Sequence, residues 1–573
     1  MTRRWKLSPL SPRAQNLARE TGLSLIEAQI LVKRGVSEGA EVAPFLAPRL
    51  SALMDPMLFQ DMDRAVEKIL RILERGEKIA VYGDYDADGL TATALLANFF
   101  SCLDIPVSCH IPHRLKEGYG LHANAMERLC REGVRLIITV DCGISNMREV
   151  ALAKASGTEV IVTDHHRIPR DFLPLCPVIN PHLPDSSLPF QDLAGVGVAL
   201  FLAVALRSAM RDRGWFRSRP EPDLRHYLDL AAIGTVADMV PLTGQNRILV
   251  HSGLRQMECT RWPGIRAIQG AVDGVGAPIT SQDLSFRVAP RLNAAGRMGR
   301  ALTGLRLLTT QDPSLAADIA GELNTLNSHR QSIEQGIFDD IARRLPARED
   351  IGDRMSMVVE GKGWHRGVLG IVASRLVNRY HRPVVVLDVR DGMAEGSGRS
   401  IDGFDLYGAL SRLTPLLERF GGHYHAAGLA LKASNIPALS GALEEMASDS
   451  LDPEHLVPIL DIDMEVRLAD MNLEALRSLE SLAPHGTGNP EPLLLARSLR
   501  VMEDRVVGDR HLRLKLGDDK RGIEAIGFGL AERYPLRGKA VDVVFTPEID
   551  RWQGSERVQL RIADLQESAA ISP

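Results

Sequence analysis

Three short clusters of acids and histidines along this chain have the side chains that hold divalent cations. The first is Gly83-Asp84-Tyr85-Asp86-Ala87-Asp88-Gly89, the second Asp141-Cys142-Gly143, and the third Thr163-Asp164-His165-His166-Arg167. Carboxylates and imidazoles crowded together repel or titrate unless a cation neutralises them. Oxygen ligands with one or two imidazoles suit Mn2+ or Mg2+, whereas a structural zinc site would usually recruit thiolates. Two such cations side by side are equipment for hydrolysing a phosphoester. A lone Asp-x-Asp-x-Asp-Gly reads as readily as a loop or a calcium-like turn, and a lone Asp-His-His is weaker still. The three together, each after an apolar run, carry the reading.

Those runs are Lys78 to Tyr82, Leu136 to Val140 and Val160 to Val162. They are short, β-branched and bounded by Gly or Asp, as strands buried on both faces of a parallel sheet are. Ligands collect at the carboxyl ends of such strands, so the clusters are expected to converge. Further strand-like runs near 107 and 178 alternate with helical segments at Thr91 to Phe100 and Asn146 to Ala155, which predicts an α/β domain with a doubly wound parallel sheet over 61–245.

The flanking segments read differently. Residues 1–60 look helical and polar, ending near Pro44, Pro48 and Pro56. Residues 246–346 read as a helical connector closing on one long helix. Asp312-Pro313 is a start signal, and Leu315, Ile319, Leu323, Leu326, Ile333, Ile337, Ile341 and Leu345 recur at steps of three or four. At 1.5 Å per residue that helix is about 50 Å long and can floor a cleft between two bodies. Over 347–450, Met355 to Val359 and Pro383 to Leu387 read as buried strands of a second α/β domain. Over 456–568, short strands with Gly turns fit a small barrel, for which an OB-fold is chosen. Its clearest segment is His511 to Leu516, with leucines on one face and Arg513 and Lys515 on the other. An ordinary half-exposed sheet with solvated cations reads about as well from this alternation alone.

Composition sets bounds. At 573 residues the chain is too long for one core and suits about three or four domains. Charged residues make up 25%, hydrophobic ones 45%, and the net charge is −5, which disfavours an indiscriminate DNA-coating protein. The six cysteines form no CxxC pair, a pattern of reduced thiols. Neither a signal-peptide stretch nor the roughly 18 apolar residues of a membrane span occurs, and a cytoplasmic location is expected.

Taken with Arg114 and Glu117-Gly118-Tyr119-Gly120, Gly234-Thr235-Val236-Ala237-Asp238-Met239-Val240-Pro241, Pro290-Arg291-Leu292-Asn293-Ala294-Ala295-Gly296-Arg297, and Gly421-Gly422-His423 with Ala426-Ala427-Gly428, the three clusters resemble the DHH phosphoesterase family, in its branch of single-strand-specific exonucleases. The resemblance runs over nearly the whole chain. It implies that 347–450 is the DHH-associated domain, facing the metal site and receiving nucleic acid, and that the barrel binds single strands.

The resemblance also implies roles. Asp84, Asp86, Asp88, Asp141, His165 and Asp238 would hold two divalent cations, Mn2+ or Mg2+, with Asp141 bridging them and Asp84 the position where the family's pattern varies. Asp141 and His166 would be catalytic. His166 would serve the phosphate as a donor or proton source, or would simply bond to a neighbouring carboxylate. Arg114, Arg291, Ser397 and Arg399 would form a 5′-phosphate pocket, with Tyr119 and His423 as further base or phosphate contacts and Arg513 and Lys515 on the barrel. Planar guanidinium forks suit a terminal phosphate, and the glycines around Ser397 permit close backbone approach. The activity implied is 5′ to 3′ degradation of single-stranded DNA to mononucleotides in recombination and repair, by a monomer served by a single-strand-binding protein and a helicase. Two rivals remain: a family phosphodiesterase acting on short oligonucleotides or cyclic dinucleotides, which would lack the barrel, and a non-catalytic DNA-binding paralogue, which could have lost ligands.

Overall fold

The parallel sheet forms where the apolar runs lie. In the computed structural model its strands are Val107–His110, Lys78–Tyr82, Val134–Val140, Glu159–Thr163 and Val178–Ile179, in that spatial order and all parallel. In chain order this is 2-1-3-4-5, so the connection reverses direction between the strands ending at Tyr82 and Val140, and ligands bind at such a switch point. Helices Ala123–Arg131 and Met147–Ala155 pack on one face through Leu129, Met126 and Val150 against Ala80, Ile137 and Val160. Helices Met62–Glu74, Ala87–Cys102 and Gly195–Asp212 cover the other, which makes the sheet doubly wound. Residues described are 3–169, 171–272, 278–345, 351–517, 522–551 and 554–568, so the expected boundary at 346/347 lies outside the described residues.

The long helix is Pro313–Arg344, capped by Asp312, whose carboxylate accepts from the Ser314 and Leu315 amides. Its buried stripe departs from the apolar pattern. Leu315 is exposed, and the middle of the buried face is polar, with Asn327, Arg330 and Glu334. Arg330 donates to Glu334 at 2.6 Å and to Asn327 at 3.0 Å, and Arg375 donates to Glu334 at 3.1 Å. An ion-pair network takes the place of leucines there. The second sheet runs Leu417–His423, Ala426–Lys432, Met393–Arg399, Val384–Arg390 and Met357–Lys362, antiparallel except for its last pair.

Two compact units emerge. Residues Leu53–Val240 and Gly244–Val457 form one, and it holds both sheets described above. The other joins residues up to Ala52 with Pro241–Thr243 and everything from Pro458 on. The expected N-terminal segment over 1–60 therefore divides near residue 52, and it is not wholly helical. Its strand Arg4–Leu7 pairs in parallel with Ile459–Ile462, and helices Pro12–Thr21 and Leu25–Lys33 place Leu17, Ile30 and Leu31 in one core with barrel residues Leu512, Leu514 and Phe545. Arg-Trp-Lys-Leu alternates charged and apolar residues over only four positions, too short a run to mark a strand without its distant partner. The barrel closes with five strands, Leu494–Val507, His511–Gly517, Gly522–Gly527, Arg557–Glu567 and Ala540–Asp550, the last pairing back to the first. The parallel pairing of Gly522–Gly527 with Arg557–Glu567 is that of an OB-fold. Among the described residues no helix is long and apolar enough to cross a membrane.

Asp463 ties the N-terminal helices to this unit. It is buried and accepts from Arg34 at 3.1 and 3.3 Å and from the Leu493 amide at 2.9 Å, with Lys33 Nζ 2.9 Å away. Asp463→Ala leaves Arg34 without its counter-charge and Lys33 with only exposed Asp461 at 3.4 Å, an expected loss of about 3–5 kcal/mol. Earlier urea unfolding of this unit, with lost hydrogen-exchange protection over helices Pro12–Thr21 and Leu25–Lys33, is the expected result. Unchanged protection would show that apolar packing alone holds the segment.

Candidate metal and phosphate site

The clusters converge at the switch point. Asp86 N-caps helix Ala87–Cys102 by accepting from the Gly89 amide, and Asn293 accepts from the Ala87 amide, fixing the loop from a second helix. Asp141, straight after strand Val134–Val140, has φ 59°, a left-handed conformation that Asp tolerates better than most residues and that is enriched at functional sites. Asp88 accepts from the amides of Gly195 and Val196 at 2.6 and 2.9 Å, at the start of helix Gly195–Asp212, where a carboxylate meets the positive end of the helix dipole. Asp238 follows helix Leu228–Ala237 as its C-cap.

Three groups of potential ligands result among the described residues, each with its donor atoms within 4.8 Å of one another: Asp84, Asp86 and Asp141; Asp88, His165 and Asp238; and Asp141, His165 and His166. Asp141 and His165 each belong to two groups. His165 Nε2 lies 3.1 Å from Asp141, 3.6 Å from Asp238 and 3.9 Å from Asp88, yet this buried nitrogen is aligned for a hydrogen bond with none of them. Asp84 Oδ1 is likewise buried without a partner. Unpaired buried polar atoms are costly, and here both face a nest of anionic oxygens. Divalent cations complete both, so the donor set fits Mn2+ or Mg2+.

The electrostatics agree. Burial first, then neighbouring carboxylates, pushes Asp84, Asp141 and Asp238 well above the usual carboxylate range, and Asp88 to about 7. The same burial lowers His165 to about 4, keeping it neutral and able to offer a lone pair. Two glycines beside the acids have no room for side chains. A Cβ at Gly195 would lie 2.7 Å from Asp141 Cβ and 2.9 Å from its Oδ1, and one at Gly234 would lie 2.7 Å from Asp88 Oδ1.

His166 is held differently. Its Nδ1 bonds Asp164 at 2.8 Å, as do the His165 and His166 amides at 2.8 and 3.1 Å and the Ile144 amide at 2.9 Å. Burial alone would raise Asp164; these donors hold it at about 2. For His166 burial is outweighed by Asp164, which lifts it to about 9. The bond to a neighbouring carboxylate thus exists and leaves Nε2 as the other working nitrogen. Tyr119 is drawn in as well, its hydroxyl 3.2 Å from the Asp141 carbonyl and 3.0 Å from His166 Nδ1.

Beside the acids stands a cluster of guanidiniums. Arg399 bonds Ser397 Oγ at 2.9 Å, and Arg114 lies over the Tyr85 ring at 4.6 Å. Between them comes Arg297, a residue that sequence reasoning missed. Burial and then Arg114, Arg330 and Arg399 push it down to about 9, while its own bond is to the Gly367 carbonyl at 3.2 Å. Burial and Arg114 also lower Arg399. Among the described residues none of Arg114, Arg297 and Arg399 is ion-paired. Arg291 is instead bonded to Asn324 at 3.2 Å and to the Arg287 carbonyl at 2.7 Å. The signal was available: Asn293 and Arg297 are four apart on helix Ala289–Arg297 and share a face, which Arg291 does not. Asp164, which the motif alone gives no role, positions His166. His423, at the end of its strand, is near enough to His166 and Arg167 for their charge to add to burial in lowering it.

On the barrel, Leu512, Leu514 and Leu516 are buried as expected, and Arg513 and Lys515 point outward. Both are already paired, Arg513 with Glu524 at 2.9 Å and Lys515 with Glu503 at 3.5 Å. Glu524 and Glu503 sit on the two adjacent strands, in register with Lys515, a neighbourhood that alternation along one strand cannot reveal.

Comparison with known proteins accounts for these parts in order. Family models match residues 78–235 (DHH family, N-terminal domain), 354–449 (DHHA1 domain) and 462–564 (RecJ OB domain). The chain is 34% identical to the single-stranded-DNA-specific exonuclease RecJ of Bacillus subtilis over 99% of its own length and 71% of that protein's, and 36% identical to that of Salmonella typhimurium, covering 92% and 94%. A crystal structure of RecJ in complex with Mn2+ from Thermus thermophilus superimposes with a TM-score of 0.84 at 32% identity, over 99% of this chain and 80% of that one. With sequence similarity end to end and all three family domains in the same succession, the chain belongs to the RecJ family.

Proposed function

We propose that this chain is a metal-dependent exonuclease that degrades single-stranded DNA from the 5′ end, releasing mononucleotides. The observation that carries this reading is the adjacency of two opposite charge clusters: buried carboxylates with an unpaired imidazole nitrogen, and three guanidiniums without an ion pair. Arg297 feels the charge of Asp86, and Asp84 that of Arg114, so the clusters lie within electrostatic reach of each other. A scissile phosphodiester belongs at the first and a terminal phosphate at the second, which sets the cut close to the end.

The residues divide the work. Asp84, Asp86, Asp88, Asp141, His165 and Asp238 would hold two divalent cations, and Asp141 belongs to two of the three donor groups. When bound, these ions supply the positive charge that polarises the phosphodiester and activates water. Asp164 orients His166 so that Nε2 can donate to a phosphoryl oxygen as charge develops there. Arg114, Arg297, Arg399 and Ser397 bind the terminal phosphate, and Arg291 is released from that role. Tyr119 and His423 line the approach. The OB-fold over 456–568 grips the strand, which a hydrolase of cyclic dinucleotides would not need. Domains over 61–245, 246–346 and 347–450 supply the metals, the connector and the facing sheet. We place the protein in the cytoplasm, as a monomer in recombination and repair, supplied by a single-strand-binding protein and a helicase; its six free cysteines suit a reducing compartment.

Digestion of 5′- and 3′-labelled single-stranded and duplex DNA with Mn2+, Mg2+ or EDTA tests the whole reading, and release of mononucleotides from 3′ ends or from duplex would refute it. Asp141→Ala is expected to abolish cleavage in a folded protein. Gly195→Ala keeps every donor but forces Asp141 to move, and positional errors of this kind lower metal affinity roughly 10–100-fold. Titration of Mn2+ by electron paramagnetic resonance checks it, and unchanged affinity would place the ions away from Asp141.

Arg297→Ala and Arg399→Ala each remove a charge-assisted phosphate contact worth about 1.5–3 kcal/mol. Both variants are expected to lose most of any preference for 5′-phosphorylated over 5′-hydroxyl ends, whereas Arg291→Ala keeps it. A loss confined to Arg291→Ala would put the pocket on the other face of that helix.

A further inference from the structure

The fifth strand of the parallel sheet, Val178–Ile179, ends at the same edge as the strands that carry the acids, and Asn180-Pro181-His182 follows it. Asn180 is buried, and its side-chain amide holds two loops at once. Its Nδ2 donates to the His166 carbonyl at 2.9 Å, and its Oδ1 accepts from the His182 amide at 2.8 Å. The His166 carbonyl belongs to the peptide that joins His166 to Arg167. One buried side chain therefore fixes where both Arg167 and His182 leave the backbone, beside the histidine that serves the scissile phosphate.

Neither of these side chains is used by the fold. The Arg167 guanidinium is exposed and has no partner among the described residues, and His182 Nδ1 is buried without one. They are close to each other, because the charge of Arg167 adds to burial in lowering His182; after burial and His166 it acts on His423 in the same sense. Asp192 also acts on His182 but bonds to neither His182 nor Arg167 among the described residues. A guanidinium and two imidazoles gathered beside His166 without a bonded counter-ion make a surface for an anion. This surface is distinct from the terminal-phosphate arginines. Arg297 feels Arg114 and Arg399, whereas the charges acting on His182 and His423 are those of Arg167, His166 and Asp192. Asp84 feels both Arg114 and His166, so the acids adjoin both basic groups. A strand with its end at the first group and its first linkage at the acids can leave along the second.

We infer that Arg167, with His182 and His423 beside it, holds the backbone phosphate that follows the scissile one, on the 3′ side of the cut. The inference rests on the exonuclease reading above. Arg167 supplies charge, and each neutral imidazole can supply a ring N–H. A contact to phosphate carries no base preference and sets register, so the first linkage is pinned from both sides.

The test uses the full-length protein and 5′-phosphorylated single strands in which one linkage, the second, third or fourth, is an uncharged methylphosphonate. With the wild type, neutralising the second linkage is expected to lower kcat/KM for release of the first nucleotide about tenfold, the scale of one charge-assisted contact. Arg167→Gln is expected to cost about as much on the natural strand and to reduce the slope of log kcat/KM against log salt by about 0.7. On the strand already neutral at the second linkage it should cost nothing more, and Arg167→Lys should restore the salt slope. Preference for 5′-phosphorylated over 5′-hydroxyl ends is expected to survive in Arg167→Gln, which separates this contact from the terminal pocket. A flat linkage scan, losses that multiply when combined, or a lost end preference would overturn the subsite while leaving the exonuclease reading intact. Failure of the wild type to release mononucleotides from natural strands would overturn that reading, and the subsite with it.

Discussion

Like charge held out of water governs this structure. Asp84, Asp88 and Asp141 are each at most 3% exposed, and Asp238 stands against them. Burying one carboxylate without a partner costs several kcal/mol, and clustering several compounds the cost through repulsion. The fold meets part of this with backbone. Asp88 receives two amides from a helix start, and Asp164 receives three amides and an imidazole. Asp141 and Asp84 receive no such set, and the raised affinity of both for protons expresses what remains. A divalent cation relieves that remainder better than a proton does, because one ion serves several oxygens at once. The ordinary tendency of a 2-1-3-4-5 sheet to gather loops at its switch point thus becomes a constraint on composition. Gly195 stays bare because the Asp141 side chain occupies the space its own would need, Gly234 because the Thr91 hydroxyl and the Asp88 carboxylate do, and Gly89 because Asp84 Cβ and backbone do.

The arginines obey the complementary rule. Arg114, Arg297 and Arg399 lie close enough to repel one another, and acids stand nearby, yet no ion pair joins the two clusters among the described residues. Each guanidinium is held by uncharged partners: a tyrosine ring, the Gly367 carbonyl, and Ser397 with the Gly398 carbonyl. Ion pairs across the site would have neutralised both ligand-binding surfaces. The middle of helix Pro313–Arg344 shows the alternative, since Arg330 is ion-paired with Glu334 beside it and serves as structure.

How much of this was legible in the sequence follows from the range of each interaction. All five strands of the parallel sheet and the start of the long helix were readable, because a β-branched run after Gly or a Pro after Asp acts within a few residues. The convergence of Asp84 to Asp88, Asp141 and His165 followed from the parallel arrangement alone. What escaped depends on contacts far apart in the chain. Strand Arg4–Leu7 exists through Ile459–Ile462, the pairing of Lys515 through Glu503, and the buried stripe around Arg330 through Arg375. Arg291 and Arg297 share one motif, and only the helical phase set by Asn293 tells them apart.

The two clusters also bear on each other. Arg297 is stabilised as a cation partly by Asp86, one of the carboxylates that would hold a metal. Once cations neutralise those carboxylates, the guanidiniums lose that counter-charge while keeping their mutual repulsion, and a phosphate dianion becomes the natural replacement. By linkage, a phosphate bound at the arginines must favour the cations to the same degree. On the proposed reading, metal and strand end would not be independent ligands of this fold: each would supply the charge that the other's arrival removes, and the site would be electrically complete only with both present.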